Sequence, residues 1–348
     1  MRRTSVRKSG RLGFSLLLVG LVFAFLANVA TGSILIPVGE ILSILLGRGS
    51  ENPAWVSIVL NLRLPQAVTA TLAGAALAVS GLQMQTLFRN PLAGPFVLGI
   101  SSGASLGVAL VVLSGSIGGG FLLALSGDLG HVAAGIAGAS SVLVLVLFVA
   151  RRVPTLTLLI MGVLFGYAAS AMVSILLRFS AAESVQSYVI WTMGEFSGVS
   201  WRQLAWLAPL LLFGLGIAAV SVKPLNALLL GEAYARSMGV PVERTRIWLI
   251  GSTAVLAGAV TAFCGPIGFL GIAVPHLGRS LFQSSDHRVL MPGVALLGGL
   301  LALTADLIAQ VPGSSYVLPL NAVTALLGTP VVIWVVLGQP SLKDSFSR

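Results

Sequence analysis

Apolar runs long enough to cross a lipid bilayer recur from residue 14 to residue 338 of this 348-residue chain. A membrane-spanning helix needs about 20 consecutive, mostly apolar residues. Stretches 14–36, 64–82, 93–113, 131–150, 156–178, 203–222, 247–264, 289–309 and 316–338 are of that kind. A soluble domain carries about 25% charged residues, whereas this chain carries 9% and has a mean hydropathy of +1.01. That balance excludes a soluble enzyme and a disordered chain, and one cysteine, Cys264, excludes a disulfide scaffold. The even spread of the runs argues for one polytopic, all-α membrane domain.

Stretch 266–283 is shorter and holds His276 and Arg279. Charge placement decides whether it crosses, because cytoplasmic loops are enriched in Lys and Arg. With the N-terminus inside and ten spans, sixteen of the 20 cations are cytoplasmic: Arg2, Arg3, Arg7, Lys8, Arg11, Arg89, Arg151, Arg152, Lys223, Arg236, Arg244, Arg246, Arg279, Arg288, Lys343 and Arg348. Arg48, Arg63, Arg178 and Arg202 fall outside. Without that span the split worsens to twelve against eight. About ten transmembrane helices with both termini cytoplasmic are therefore expected. The basic start imitates a signal peptide, but 14–36 is too long for its apolar segment and reads as an uncleaved first span. Trp55, Trp191, Trp201 and Trp248 fall near span ends, where indoles favour the headgroup layer.

The net charge of +10 forms no basic stripe with interleaved aromatics, which argues against a nucleic-acid partner. No lysine follows a glycine, so the chain lacks a G-x-x-x-x-G-K-[ST] phosphate loop. It also lacks H-E-x-x-H and G-x-S-x-G, and His131, His276 and His287 are far apart. Neither a catalytic site nor a metal set is read in this chain. Ion-coupled carriers usually place carboxylates within the membrane; the one acid deep in a span is Asp306, near an outer helix end, where a hydrogen-bonded structural role is the simpler reading. An external energy source follows. Gly74-Ala75-Ala76 and Gly135-Ile136-Ala137-Gly138 read as close helix contacts rather than gates. Leu72 to Ala75 recurs as Leu256 to Ala259, and Gly94 to Ile100 resembles Gly265 to Ile272. These echoes suit an inverted repeat, although their spacing differs and chance explains them equally well. The longest cytoplasmic loop, 223–246, contains a helical stretch over 225–238 whose apolar side chains suit either a membrane surface or a docked protein.

The most specific signal is an ordered set of motifs. Arg63 to Gln85, then Phe88-Arg-Asn-Pro-Leu-Ala-Gly-Pro95, Leu98-Gly99 and Gly103-Ala104, resembles the FecCD-type permeases of type II ABC importers. Leu230 to Val240 resembles that family's cytoplasmic coupling segment. Its later block is matched by Gly265 to Gly271, Pro275-His276, Arg279, Asp286-His287-Arg288, Pro292, Asp306, Leu318-Pro319 and Gly328-Thr329-Pro330. The resemblance implies a type II ABC importer permease fold of ten spans, a homodimer, two cytoplasmic ATP-binding subunits and an extracytoplasmic substrate-binding protein, in the bacterial inner membrane. ATP and Mg would be bound by the partner ATPase, and the chain itself would bind no cofactor.

By the same resemblance, residues 1–13 form a basic cytoplasmic segment, 14–340 the permease domain and 341–348 a cytoplasmic tail. The coupling segment, about 225–240, would use Leu230, Gly231, Glu232, Ala233, Ala235, Arg236, Met238 and Gly239. Glu232 and Arg236, four apart, would pair on the helix or reach the ATPase. Asn90 and Leu92, with Thr155 and Thr157, would form the cytoplasmic gate of a mostly apolar pathway along the dimer interface, to which span five contributes; Asn90 also suits a cap before Pro91. The binding protein would dock on Arg63, Gln66 and Gln310. The two glutamines stand where the family commonly has arginine, and Arg178 and Arg202 lie on the same side. The expected cargo is an iron(III)-siderophore; vitamin B12 or haem would use the same machine, and an ion-coupled carrier or channel without an ATPase is the competing class.

Overall fold

The computed structural model describes residues 2–32, 34, 36–113, 128–150, 152–314 and 316–338, without the side chains of 2–11, 128, 129, 335, 336 and 338. The expected tail 341–348, Arg151 and the side chains of the five N-terminal cations lie outside the described residues.

Among the described residues the chain is helical throughout. The helices are α1 (Arg2–Ala30), α2 (Val38–Leu45), α3 (Pro53–Leu87), α4 (Ile100–Leu113), α5 (Asp128–Ala150), α6 (Thr155–Phe179) and α7 (Ala182–Thr192). There follow α8 (Trp201–Val220), α9 (Val222–Leu228), α10 (Glu232–Ser237), α11 (Val242–Cys264), α12 (Leu270–Phe282), α13 (His287–Ala309) and α14 (Leu320–Gly338). Seven of them, α1, α3, α5, α6, α8, α11 and α13, are long and apolar enough to cross a membrane. The other three expected spans correspond to α4, α12 and α14.

All three start later than expected, α14 at Leu320, and the first two do so for one reason. Stretch 93–113 enters through a 3-10 turn, Pro95–Leu98, and becomes α-helical only at Ile100. Stretch 266–283 likewise starts its helix at Leu270, after Gly265 and Phe269 turn the chain with φ of 74° and 65°. Hydropathy sees apolar residues in both places, whereas Pro and Gly break the backbone there. The two broken segments are the Gly-Pro echoes, and they meet: a side chain on Gly271 would strike Pro95.

α3 is the central element, packed by α8, α11, α12 and α13. Along it Ala67, Ala70, Ala73, Ala76, Leu77 and Ala78 are fully buried. Lipid tails are as apolar as Leu, so close backbone approach, rather than water exclusion, binds membrane helices together. Gly74 lies on the backbone of Gly298 in α13, and Gly81 on that of Gly271 in α12, with no space for a β-carbon at either crossing. Gly138 lies in the same way on Gly103, so the small-residue runs are packing surfaces. Cys264 is 2% exposed, a packed residue at the end of α11.

Contacts between helix ends define the two faces. Asp306 near the end of α13 meets Asn28 of α1 and Gln66 of α3. At the opposite end His287 of α13 meets Thr86 of α3. Arg48, Arg63, Arg178 and Arg202 fall on the first face; Arg89, Arg152, Lys223, Arg236, Arg244, Arg246, Arg279 and Arg288 fall on the second. By the positive-inside rule the first face is outer and the second cytoplasmic.

Candidate functional site

The expected coupling helix over 225–238 is two short helices instead. Gly231 separates α9 from α10 with φ of 106°, a conformation costly for any residue with a β-carbon. The turn gives α10 two unlike faces. Ala235 is fully buried against the permease, whereas Leu230, Tyr234 and Met238 are 61%, 53% and 48% exposed. Ala233, Arg236 and Gly239 are also exposed. An apolar surface at a charged cytoplasmic end is suited to contact with another protein.

Glu232 is turned inward. Its carboxylate accepts a hydrogen bond of 2.6 Å from the Thr155 hydroxyl and bonds of 3.4 Å from Arg246 Nη2. Arg246, 6% exposed, also donates Nη1 to the carbonyls of Ala150 and Val153 at 3.2 and 3.1 Å. One cluster thus joins α10, α11, the α5–α6 turn and the first residue of α6. Glu232 and Arg236 approach only to 4.0 Å, while Arg236 pairs with Glu243 at 3.0 Å. Thr155 therefore sits in the same cluster as α10, and Thr157 is exposed one turn-half further along α6.

The Asn90 side chain accepts from the backbone N–H of Leu92 at 2.9 Å, closing a turn rather than capping a helix at Pro91. Leu92 is 41% exposed beside it. This turn lies beside Gly231 and is bonded from α12. Arg89 places a guanidinium nitrogen 3.5 Å from where a β-carbon on Gly231 would stand. His276 of α12 meets the Pro91 carbonyl at 2.7 Å. The coupling segment and both expected gate positions thus occupy one connected end of the molecule.

On the outer face Arg63, Gln66 and Gln310 line a cleft of about 650 Å3 with Glu195, Asp306 and Leu318. Their polar groups are engaged within the chain. Arg63, 6% exposed, donates to the carbonyls of Val29 and Ala30 at 3.1 and 2.9 Å and to that of Ile34, where α1 ends. Gln66 donates to both oxygens of Asp306 at 3.1 and 3.0 Å, and Gln310 and Asn28 each donate at 2.7 Å. Asp306, 4% exposed, is thus a carboxylate held by three amides. Arg178 and Arg202, in contrast, are exposed on this face. Arg63→Met should lower detergent stability by about 1–3 kcal/mol, because it removes the donor to the carbonyls of Val29, Ala30 and Ile34 at the end of α1; a thermal melt of the purified chain measures this.

Arg246 and Asn28 carry this geometry, yet the sequence reading assigned them no role. Asn28 left the clearest signal, an amide inside an apolar run. Among the described residues no group of His, Cys, Asp and Glu is arranged to hold a metal.

A bundle of ten apolar helices, two of them broken at Gly-Pro turns, with a short two-faced helix pair at its cytoplasmic end, defines a type II ABC importer permease. A solved structure of an inward-facing transporter, assigned to the metal-chelate ABC type, superposes with a TM-score of 0.81 at 28% identity, over 94% of this chain and 98% of that one. The chain belongs to the FecCD transport family, whose sequence model matches residues 20–338. The vitamin B12 import system permease protein BtuC of Salmonella paratyphi A is 39% identical over 315 residues, 88% of this chain and 93% of the relative. BtuC of Escherichia coli O6:H1 is 40% identical over 290 residues, 82% of this chain and 85% of the relative. The protein is accordingly the multi-pass permease component of an ABC importer, a class that works with an ATPase and a substrate-binding partner.

Proposed function

We propose that this chain works as a homodimer in the bacterial inner membrane, where two cytoplasmic ATP-binding subunits drive a bulky metal chelate along the dimer interface. The observation that carries the reading is the Glu232 carboxylate, which bonds the coupling helix to Thr155 at the start of α6. A push on the exposed side chains of α10 therefore reaches α6 directly. That helix presents an apolar stripe, with Leu156, Ile160, Leu164, Tyr167, Ile175 and Phe179 at 71%, 52%, 57%, 71%, 60% and 71% exposure. Helical spacing puts them on one side, which suits a partner copy and a pathway wall that holds no chelate tightly. Asn90, Leu92, Thr155 and Thr157 form the cytoplasmic gate in this reading. The chain supplies no catalysis and binds no cofactor; ATP and Mg belong to the partner.

Docking of the binding protein centres on the outer cleft. Arg63, Gln66 and Gln310 shape its wall, and the exposed Arg178 and Arg202 offer the charge. An iron(III)-siderophore is the first reading of the cargo, supported by the family and the metal-chelate transporter. Vitamin B12 is the second, favoured by the BtuC relatives. Uptake of labelled ferric siderophore and cobalamin, compared in cells with and without the gene and with ATP replete or depleted, tests both. ATP-dependent loss of one cargo is the expected result. Loss indifferent to ATP would replace the importer reading with an ion-coupled carrier.

A further inference from the structure

Three side chains join the segment leading into the coupling helix to the cytoplasmic end of α3, and no motif assigned them that role. Asn226 lies in α9. Its Oδ1 accepts from the backbone N–H of His287 at 2.9 Å, and its Nδ2 donates to the Asp286 carboxylate at 2.6 Å. The backbone N–H of Arg288, together with that amide, holds the Asp286 carboxyl below the usual carboxylate range. These bonds leave the Asn226 amide one orientation. Oδ1 must then be the acceptor for His287 Nδ1 at 2.8 Å, so Nδ1 carries a proton. Across the ring, Nε2 meets the Thr86 hydroxyl at 2.9 Å, in the last turn of α3. In the neutral imidazole Nε2 can only accept, so the single Thr86 hydroxyl proton is divided between Nε2 and the Leu82 carbonyl, also 2.9 Å away. His287 and Thr86 are 1% and 5% exposed, so the ring is enclosed between its partners.

Thr86 stands four residues before Asn90, and α3 ends at Leu87. The same end of α3 is held from α12, where Arg279 donates to Gln85 Oε1 and Gln85 Nε2 donates to the Ile272 carbonyl at 3.1 Å. A displaced α9 cannot leave α3 behind without breaking the part-buried Asn226–His287 bonds or the buried His287–Thr86 bond. The geometry points to Asn226, His287 and Thr86 as positioning residues that carry movement of the coupling segment to the gate turn at Asn90–Leu92. This second route is separate from the Glu232–Thr155 bond, which reaches α6, and the two together would move both gate positions at once. The inference rests on the reading of Leu230–Gly239 as the contact with the ATPase.

The test uses the full complex, permease with its ATP-binding subunits, reconstituted in vesicles with the binding protein and supplied with radiolabelled cobalamin and ferrichrome in parallel. The quantity read is ATP hydrolysed per cargo moved. Thr86→Val keeps the volume and removes the hydroxyl, and Asn226→Ala removes the amide; each should raise that ratio by about fivefold, with hydrolysis itself maintained. Thr86→Ser, which keeps the hydroxyl, should return the ratio to that of the parent. A purely structural role would lower transport and hydrolysis together with the amount of folded complex, leaving the ratio unmoved, and that result overturns the inference. Gly231→Val separates the two levels of argument. If it stops transport while Thr86→Val and Asn226→Ala leave the ratio unchanged, the relay fails and the coupling segment stands. If Gly231→Val transports normally, the coupling segment falls and takes the relay with it.

Discussion

Gly81→Val is expected to remove the protein from the membrane almost entirely. The α-carbon of Gly81 faces the backbone of Gly271 where α3 crosses α12, and the first atom of any side chain would fall on that carbonyl. No rotamer relieves such a clash, because both colliding groups are backbone or fixed to it. The helices must separate, and α3 is also held at Gly74 against Gly298, so they cannot tilt apart freely. Overpacking costs about 1–3 kcal/mol where side chains can shift; a backbone collision exceeds that range, and marginal stability is of the order of 5–15 kcal/mol in total. Membrane-fraction immunoblots should show the loss. Gly39→Ala, in α2 with nothing within 4 Å of the added carbon, should accumulate as the parent does. Normal accumulation of Gly81→Val would mean that α3 and α12 do not cross there.

Glu232→Ala should separate transport from hydrolysis without removing the protein. The Arg246 side chain is 7% exposed and that of Glu232 33%. Removing one partner of a buried ion pair costs about 3–5 kcal/mol. Partial exposure of Glu232 and the two carbonyls that still accept from Arg246 reduce this to about 2 kcal/mol. As a coupling free energy that corresponds to roughly thirtyfold. Cargo uptake by the reconstituted complex should fall by that order, with ATP still hydrolysed. Glu232→Gln, which can still accept from Thr155, should fall between. Unchanged uptake in Glu232→Ala would place the link between α10 and α6 elsewhere.

Helix number was legible because the signal is additive. About 20 apolar residues and the side on which cations fall are sums over many positions, and no single residue can mislead them. The tenth span shows this: 266–283 was too short and too charged by hydropathy, and the cation balance placed it correctly. Breaks were less legible, since Gly-Pro inside an apolar run leaves the sum untouched while bending the chain. The helical stretch over 225–238 was legible, but not its division at Gly231, which is a matter of one φ angle. Side-chain roles at the outer face were the least legible. Arg63 in an outer position reads as an exposed cation; only the fold shows it turned onto the carbonyls at the end of α1. Gln66, Gln310 and Asn28 are 240, 4 and 278 positions from Asp306, and most of that cluster has no local pattern to find.

The two half-length helices bear on how the chain enters the membrane. At 1.5 Å per residue, the 14 residues of α4 and the 13 of α12 extend about 20 Å, against a hydrocarbon core of about 30 Å. Each leaves irregular backbone at depth, which hydrocarbon does not tolerate unless protein supplies the missing partners. At the break before α12 one such partner comes from a distant part of the chain: the Gly268 N–H is met by Asn321 of α14. Integration therefore cannot proceed one span at a time in order of synthesis. The break before α12 must wait at the translocon, or beside earlier helices, until α14 has been made, and the last spans become lipid-stable together.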